Sequence, residues 1–398
     1  MNRKFSLGVC VSLIAIACAV TFVLTMSISL NLYNAKIAGV GEREVIYTKL
    51  RDIDSYARSN YIGAIDEERL ITGIMNGYMA GTGDVKAKYI TASDYYEIQQ
   101  AESGKIITAG VQAARDESGY IRISGVYEGS SAELQGIEPG DIITQIDGVQ
   151  VLEIGAENAM KLLSGEKGTR VAMTTRRSGE ERRYTLIRQE IEIITVKGVN
   201  YGDCGFIRIS GFAENTGVQF DAVLNQILEN DAKALIIDVR ALNGCLVAPV
   251  RQILERLVSR NIVAVGEYKN GNVNNIIEIN SDENIDLPVT VITDANTSEG
   301  GELLTAALKD FADARVVGTP TKGDCVFTAT QTLRDGGAVM FSVMKVRSLG
   351  GTSFENDGIK PDFSVELTSQ IENNLDNLEN TLDAQIKKAF EITEPKIQ

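Results

Sequence analysis

No histidine occurs anywhere in the 398 residues. Every Ser-His-Asp triad, every Cys-His dyad and most catalytic zinc sites need an imidazole, so these are excluded before any fold is considered. Basic charge is also in short supply: 39 lysines and arginines stand against 54 acidic residues, a net charge of −15. A phosphate-binding face needs the opposite balance, so nucleic acid is not an expected partner. Cysteine is scarce as well. Cys10 and Cys18 fall in an apolar N-terminal run, where they read as small apolar fillers. Cys204, Cys245 and Cys325 lie beyond it, an odd number that leaves at least one unpaired or bonded elsewhere.

What is present is the composition of a globular protein, 44% apolar with 37 glycines, in a chain too long for one ordinary domain. Arg3 and Lys4 precede an uncharged run from Phe5 to Ala35, apolar from about Leu7 to Leu30. That run exceeds the roughly 20 residues that span a bilayer, and a cleaved signal peptide has an apolar region of only about 7–15 residues. The sequence therefore predicts an uncleaved single-pass anchor over residues 1–35, basic end in the cytoplasm, with the bulk of the chain outside the cell membrane. Ala15-Ile16-Ala17-Cys18 is similar to a lipoprotein cleavage site but lacks the usual leucine. Residues 36–103 read as a helical segment: Tyr47, Leu50, Ile53 and Tyr56 recur at helical spacing, as do Leu70, Ile71, Ile74, Met75 and Tyr78 after the acidic start Asp66-Glu67-Glu68.

The run Gly136-Ile137-Glu138-Pro139-Gly140-Asp141-Ile142-Ile143-Thr144-Gln145-Ile146-Asp147-Gly148 has glycines where tight turns need them and an Asp-Gly pair suited to a hairpin. It resembles the signature of a PDZ domain, here residues 104–190, β-rich with helices. A PDZ domain holds a peptide C-terminus as an added strand. The resemblance puts the carboxylate-holding loop at Ala109, Gly110 and Val111 and the opposite wall at the helix from Ala156 to Leu163. Ser178-Gly179-Glu180 predicts a second hairpin, and Arg176, Arg177, Arg182 and Arg183 a solvated strand edge.

Beyond residue 190, strands alternate with helices, which argues an α/β core over 191–368. Ala234 to Arg240 is nearly continuous in apolar residues, and Val289 to Ile292 leads through a polar turn into a helix whose greasy face is Leu303, Leu304, Ala307, Leu308 and Phe311. Arg315-Val316-Val317 and the loop Gly318 to Cys325 follow, and Gly358-Ile359-Lys360-Pro361-Asp362 closes the unit. This layout resembles the C-terminal processing peptidases, the Ser/Lys serine proteases of family S41.

The resemblance implies a nucleophilic serine in the turn before the helix, a lysine base about 25 residues later, an orienting glutamine, and a loop amide for the oxyanion. Aligned through the helix, Glu299 stands at the nucleophile position, Asp324 at the lysine and Thr328 at the glutamine; Gly244 and Cys245 end the oxyanion loop. A carboxylate is no substitute for an activated hydroxyl, and an acid cannot serve where a base is needed. A carboxylate at a helix N-terminus does stabilise, and Asn296 with Glu299 suggests a capping pair. The expected function is non-catalytic: holding protein C-termini or partner proteins, with no cofactor and no bound metal.

Four alternatives stay open. Ser298 and Lys322 are placed for a shifted dyad that would cleave C-terminal tails. Glu299 and Asp324, face to face, would share a proton or hold a hard cation. Cys245 is a third candidate nucleophile. A disulfide between Cys245 and Cys325 would close the oxyanion loop onto the old lysine loop. From Ser369 onward a helical stripe (Ile371, Leu375, Leu378, Leu382, Ile386, Phe390) predicts a solvated C-terminal helix over 369–398 that packs on the core or on a second subunit of a homo-oligomer.

Overall fold

A computed structural model describes residues 16–30, 40–367, 375 and 383–393 of the chain. These divide into two units, Met1–Ile74 and Met75–Gln398. The first holds a helix over 16–30, the helix Val40–Asn60, and the start of Glu67–Gly81, which runs across the division. Arg58 ties the two later helices together, donating to Asp54 within its own helix and to Glu67 of the next at 2.6 Å. Tyr47, Ile53 and Tyr56 are 66–73% exposed, so the expected stripe is open to solvent. Among the described residues no helix is long and apolar enough to cross a membrane. Much of the expected anchor, residues 1–15 and 31–35, lies outside the described residues.

The second unit is built around a six-stranded sheet ordered Val196–Tyr201, Cys204–Ile209, Ala234–Asp238, Val289–Thr293, Arg315–Gly318, Phe363–Ser364. The first strand is antiparallel to its neighbour and the rest are parallel. Parallel strands need helical crossovers, and helices covering both faces force nearly every strand residue to be apolar. All five residues of Ala234–Asp238 are buried. Ile207, Ile237 and Val291 face the helices Thr216–Glu229, Val247–Leu257 and Gly300–Phe311, while Phe206, Ile236 and Ile292 face Ala384–Thr393.

The C-terminal helix is therefore not solvated. Ile386 and Ala389 are buried against the sheet; the part of the expected helix before Asp383 lies almost wholly outside the described residues. Asp383 accepts from the backbone N–H groups of Gln385 and Ile386 at the helix start and receives Arg240 Nη1 at 2.6 Å. Arg240, wholly buried, also donates to both oxygens of Asp238, at 2.9 and 2.7 Å. Burial works against the Asp238 carboxylate, but Arg240 outweighs it and the pKa falls below the usual value.

A second, antiparallel sheet packs against the helices Val247–Leu257 and Gly300–Phe311. Ala338–Ser348 pairs with Lys88–Ile90, Asn261–Tyr268 and Val326–Thr332, the last of which pairs with no other strand among the described residues. The expected all-helical 36–103 segment thus contributes a strand to the core. Asp84 fastens the strap leading to that strand, accepting from Ser342 N and Oγ at 2.8 Å each.

The PDZ unit has its own sheet, Val111–Arg115, Ile121–Val126, Ile142–Ile146, Arg170–Arg177, Glu180–Ile187, with a core of Ile121, Ile123, Ile143, Val171 and Leu186. Asp147 (φ 47°) and Gly148 (φ 83°) make the expected hairpin, and Ser178 with Gly179 makes the second. The arginine cluster divides. Arg177 grips the buried Asp141 at 2.5 and 2.7 Å; Arg176, Arg182 and Arg183 are exposed as expected, Arg176 lying 5.4 Å over the Tyr120 ring.

Replacing Arg240 with Met leaves the buried Asp383 without its cation and Asp238 with Arg208, at 3.2 Å, in place of two. Such a break costs about 3 kcal/mol or more. The denaturant midpoint of Arg240→Met should fall accordingly, while Arg182→Met should leave it unchanged.

Candidate functional site

Val289–Thr293 ends at Asp294, whose carboxylate accepts from the N–H groups of Asn296 and Thr297 and from Thr297 Oγ1. The turn so formed delivers Glu299 as N-cap of the helix Gly300–Phe311, with φ 51° and ψ −111°. That conformation is sparsely populated for L-residues and costs about 1–3 kcal/mol. It persists because the backbone on both sides is tied to the facing loop: Ser298 N–H donates to Leu242 O and Gly300 N–H to Gly244 O, both at 2.9 Å. A Cβ on Gly300 would lie 2.6 Å from Gly244 O, and one on Gly301 2.6 Å from Leu242 O, so the close approach requires glycine at both positions. The expected Asn296–Glu299 cap is not the one used. Glu302 accepts the Glu299 N–H at 3.2 Å, and Asn296 donates to Asp294 instead.

Glu302 is the buried tie beneath the site. One oxygen accepts from Thr321 Oγ1 and Gly323 N–H, the other from Asp324 N–H and Glu299 N–H, so a single carboxylate joins the helix start to the loop 321–324. Burial raises its pKa against the pull of those four donors.

Above it, Glu299 and Asp324 converge, as the sequence alternative supposed, but the cation between them belongs to the chain. Lys86 Nζ donates to Glu299 Oε1 at 2.6 Å, Asp324 Oδ1 at 2.7 Å and Val326 O at 2.6 Å. An ammonium has three donors, and all three are satisfied. Burial lowers the affinity of Lys86 for its proton, yet the hydrogen bonds it donates to Asp324 and Glu299 outweigh that and its pKa is raised. The other oxygen of Glu299 accepts the Gly244 N–H at 3.0 Å. The loop amide expected to serve an oxyanion is thus already engaged, by the side chain at the nucleophile position. A cleft of about 1110 Å³ opens over this group, walled by Asn243, Cys245, Lys322 and the strand residues Thr328, Ala329 and Thr330.

Three comparisons with known proteins fit this architecture. The description "Peptidase family S41" matches residues 203–365, and "PDZ domain" matches residues 122–177. The carboxy-terminal processing protease CtpA of Bacillus subtilis is 26% identical over 372 residues, covering 92% of this chain and 78% of the relative. A probable CtpA-like serine protease of Staphylococcus aureus is 24% identical over 353 residues, covering 87% and 71%. A solved putative S41 protease from Bacteroides fragilis, 14% identical, superposes with a TM-score of 0.51 over 84% of this chain and 92% of that one, a likeness of fold.

The chain carries an S41 peptidase domain behind a PDZ domain, as the C-terminal processing proteases it resembles do.

Within that S41 frame, Ser298 and Lys322, the alternative dyad, line the same cleft. Ser298 is buried, and Lys322, 59% exposed, lies 3.9 Å from Asp324; no hydrogen bond joins it to Ser298 among the described residues. Thr328 takes no part in the charged group; its N–H and Oγ1 contact Cys245 Sγ at 3.5 and 3.6 Å. The expected disulfide is not formed: Cys245 and Cys325 are both free. Cys245 faces Thr328, three residues past Cys325, or about 10 Å at 3.3 Å per strand residue. Burial first, and then the neighbouring Glu299 charge, push the Cys245 thiol up, away from the reactive thiolate. In the PDZ unit, Ala109, Gly110 and Val111 are all buried, and the Ala109 N–H donates to Leu163 O. Among the described residues Val111–Arg115 pairs with one strand, Ile121–Val126, and with none on its other edge.

Sequence reasoning missed Lys86 and Glu302. Glu302 served only to align the helix. Lys86 lies in the strap, 213 residues from Glu299 and 238 from Asp324. The available signal was electrostatic: two facing carboxylates need a cation, and without histidine it must be lysine, arginine or a metal.

Because the Lys86 pKa is raised in the folded chain, its contribution is complete below the unfolded value near 10.5 and is lost as pH rises through the higher folded value. The stability difference between wild type and Lys86→Met should therefore stay level from neutrality to about pH 10 and shrink above pH 10.5. Denaturant melts across that range measure it.

Proposed function

We propose that this S41 homologue holds extended protein segments outside the cytoplasm, chiefly protein C-termini at its PDZ domain, and does not cleave them. The observation that carries the reading is the double engagement of Glu299, with one oxygen on the Lys86 ammonium and the other on the Gly244 amide. Amide cleavage by a Ser/Lys pair needs a hydroxyl, a neutral amine to accept its proton, and a free amide to receive the oxyanion. Here the nucleophile position is a carboxylate, the nearby amine is held charged, and the amide is occupied.

The outer edge of Val111–Arg115 suits an added peptide strand, with Ala156–Lys161 as the neighbouring helix. The apolar run Leu7 to Leu30 supports a membrane anchor that keeps this surface at the outer face of the cell membrane. The B. subtilis and S. aureus relatives are named as proteases; this chain would have kept their frame and given up the reaction.

The test is cleavage of casein and of a C-terminal tail peptide by the purified chain. Wild type and Ser298→Ala should both be inert, and the tail peptide should bind and be recovered whole. Activity that is lost in Ser298→Ala would contradict the reading and establish the Ser298/Lys322 alternative. The double variant Glu299→Ser/Asp324→Lys should gain activity, since the strained turn and the facing loop remain in place.

A further inference from the structure

The seat occupied by Lys86 is more specific than a salt bridge requires. Glu299 Oε1, Asp324 Oδ1 and Val326 O converge on one nitrogen at 2.6–2.7 Å. Three acceptors around one point match the three donors of a primary ammonium; a planar guanidinium directs its donors outward along a fork and cannot serve all three. The seat lies at the end of the strand Val326–Thr332, whose outer edge runs along the cleft; among the described residues no strand pairs with that edge, and its Thr328 N–H meets Cys245 Sγ. An extended chain pairing with that edge through its backbone would bring side chains to the seat at alternate positions.

Lys86 can leave without the strap coming loose. The strap is held by other bonds: Lys86 N–H donates to Asp84, Asp84 accepts twice from Ser342, and Lys88–Ile90 pairs with Met340–Ala338. Lys86 reaches the seat through its four-carbon side chain, while Val85, Ala87 and Lys88 of the strap line the cleft beside it, and Val85 is 98% exposed.

We propose that this seat is a recognition site for the side-chain ammonium of a lysine on an extended partner segment, and that Lys86 is its resident internal ligand, holding the site until such a lysine replaces it. The proposal rests on the non-catalytic reading above and names what the cleft selects. It places the discrimination at Glu299 and Asp324, the two positions where the family resemblance expected a serine and a lysine. A lysine-bearing segment must compete with Lys86, so removing Lys86 should expose the site in full.

The experiment uses the full chain as wild type, Lys86→Ala, Lys86→Met and the triple variant Lys86→Ala/Glu299→Gln/Asp324→Asn. Ethylammonium chloride is the first probe, with sodium chloride and tetramethylammonium chloride at equal ionic strength as controls. In Lys86→Ala, ethylammonium at about 100 mM should raise the Tm by about 3 °C over the controls. Wild type and the triple variant should not respond. The second probe is a fluorescent, end-blocked Thr-Thr-Lys-Thr-Thr peptide against its norleucine analogue. Lys86→Ala, or Lys86→Met should the alanine variant fail to fold, should bind the lysine peptide at least about tenfold tighter than the analogue, and tighter than wild type does. No ethylammonium shift beyond the salts, an equal shift in the triple variant, or equal binding of the two peptides would overturn the proposal. Those outcomes leave the non-catalytic reading standing, whereas casein cleavage by wild type would remove that reading whatever ethylammonium does.

Discussion

Between Glu299 and Asp324 sits an ammonium that comes from neither of the loops carrying those residues. Lys86 reaches them from a strap 213 and 238 residues earlier in the chain, and the local chemistry follows from that contact. Two carboxylates at that distance would repel or share a proton; with Lys86 between them both are matched, and Lys86 is kept charged. Glu299 is then free to use its second oxygen on Gly244 N–H, which fixes the facing loop. Below, Glu302 draws the loop 321–324 onto the same helix start. The result is a pinned junction of strap, helix, loop and edge strand where the family arrangement places a reactive gap.

The frame around that junction is retained with some fidelity. Glu299 keeps a strained φ of 51° on a sharp strand-to-helix turn, and Gly300 and Gly301 keep the facing loop within backbone contact. Strain of this kind needs surroundings that over-determine it, and here the hydrogen bonds to Leu242 and Gly244 do so. Nothing in the carboxylate itself calls for such a backbone, since an ordinary N-cap residue sits in the β region. Arg240, immediately before the facing loop, is locked by Asp238 and Asp383, so the C-terminal helix also supports the cleft from behind.

Legibility in the sequence followed the range of the interaction. The PDZ signature is local: Asp147-Gly148 turns, Asp141 is buried, and Ile137, Ile143 and Ile146 face one core. The parallel sheet was readable because its strands are apolar on both faces, as in Ala234–Asp238. The positions of Glu299 and Asp324 could be placed because an unbroken helix carries the register. What joins them could not, because pairing between residues 86, 299 and 324 leaves no spacing to read. The cysteine pair failed for a different reason. Lining one cleft is weaker than facing one another, and strand rise separates Cys245's partner Thr328 from Cys325. The C-terminal stripe was correctly apolar, but a stripe does not say what it covers, and Asp383, which anchors it, is one residue outside the stripe.

The most direct test of the central contact is the rate at which each lysine of the native full chain is acylated by a succinimidyl ester at neutral pH, followed by peptide mass spectrometry. The account predicts that Lys86 reacts far more slowly than the exposed Lys322, and that Glu299→Gln/Asp324→Asn speeds Lys86 while leaving Lys322 unchanged. Equal rates for Lys86 and Lys322 in the wild-type chain would mean that the ammonium is not held between the two carboxylates, and the account would be wrong.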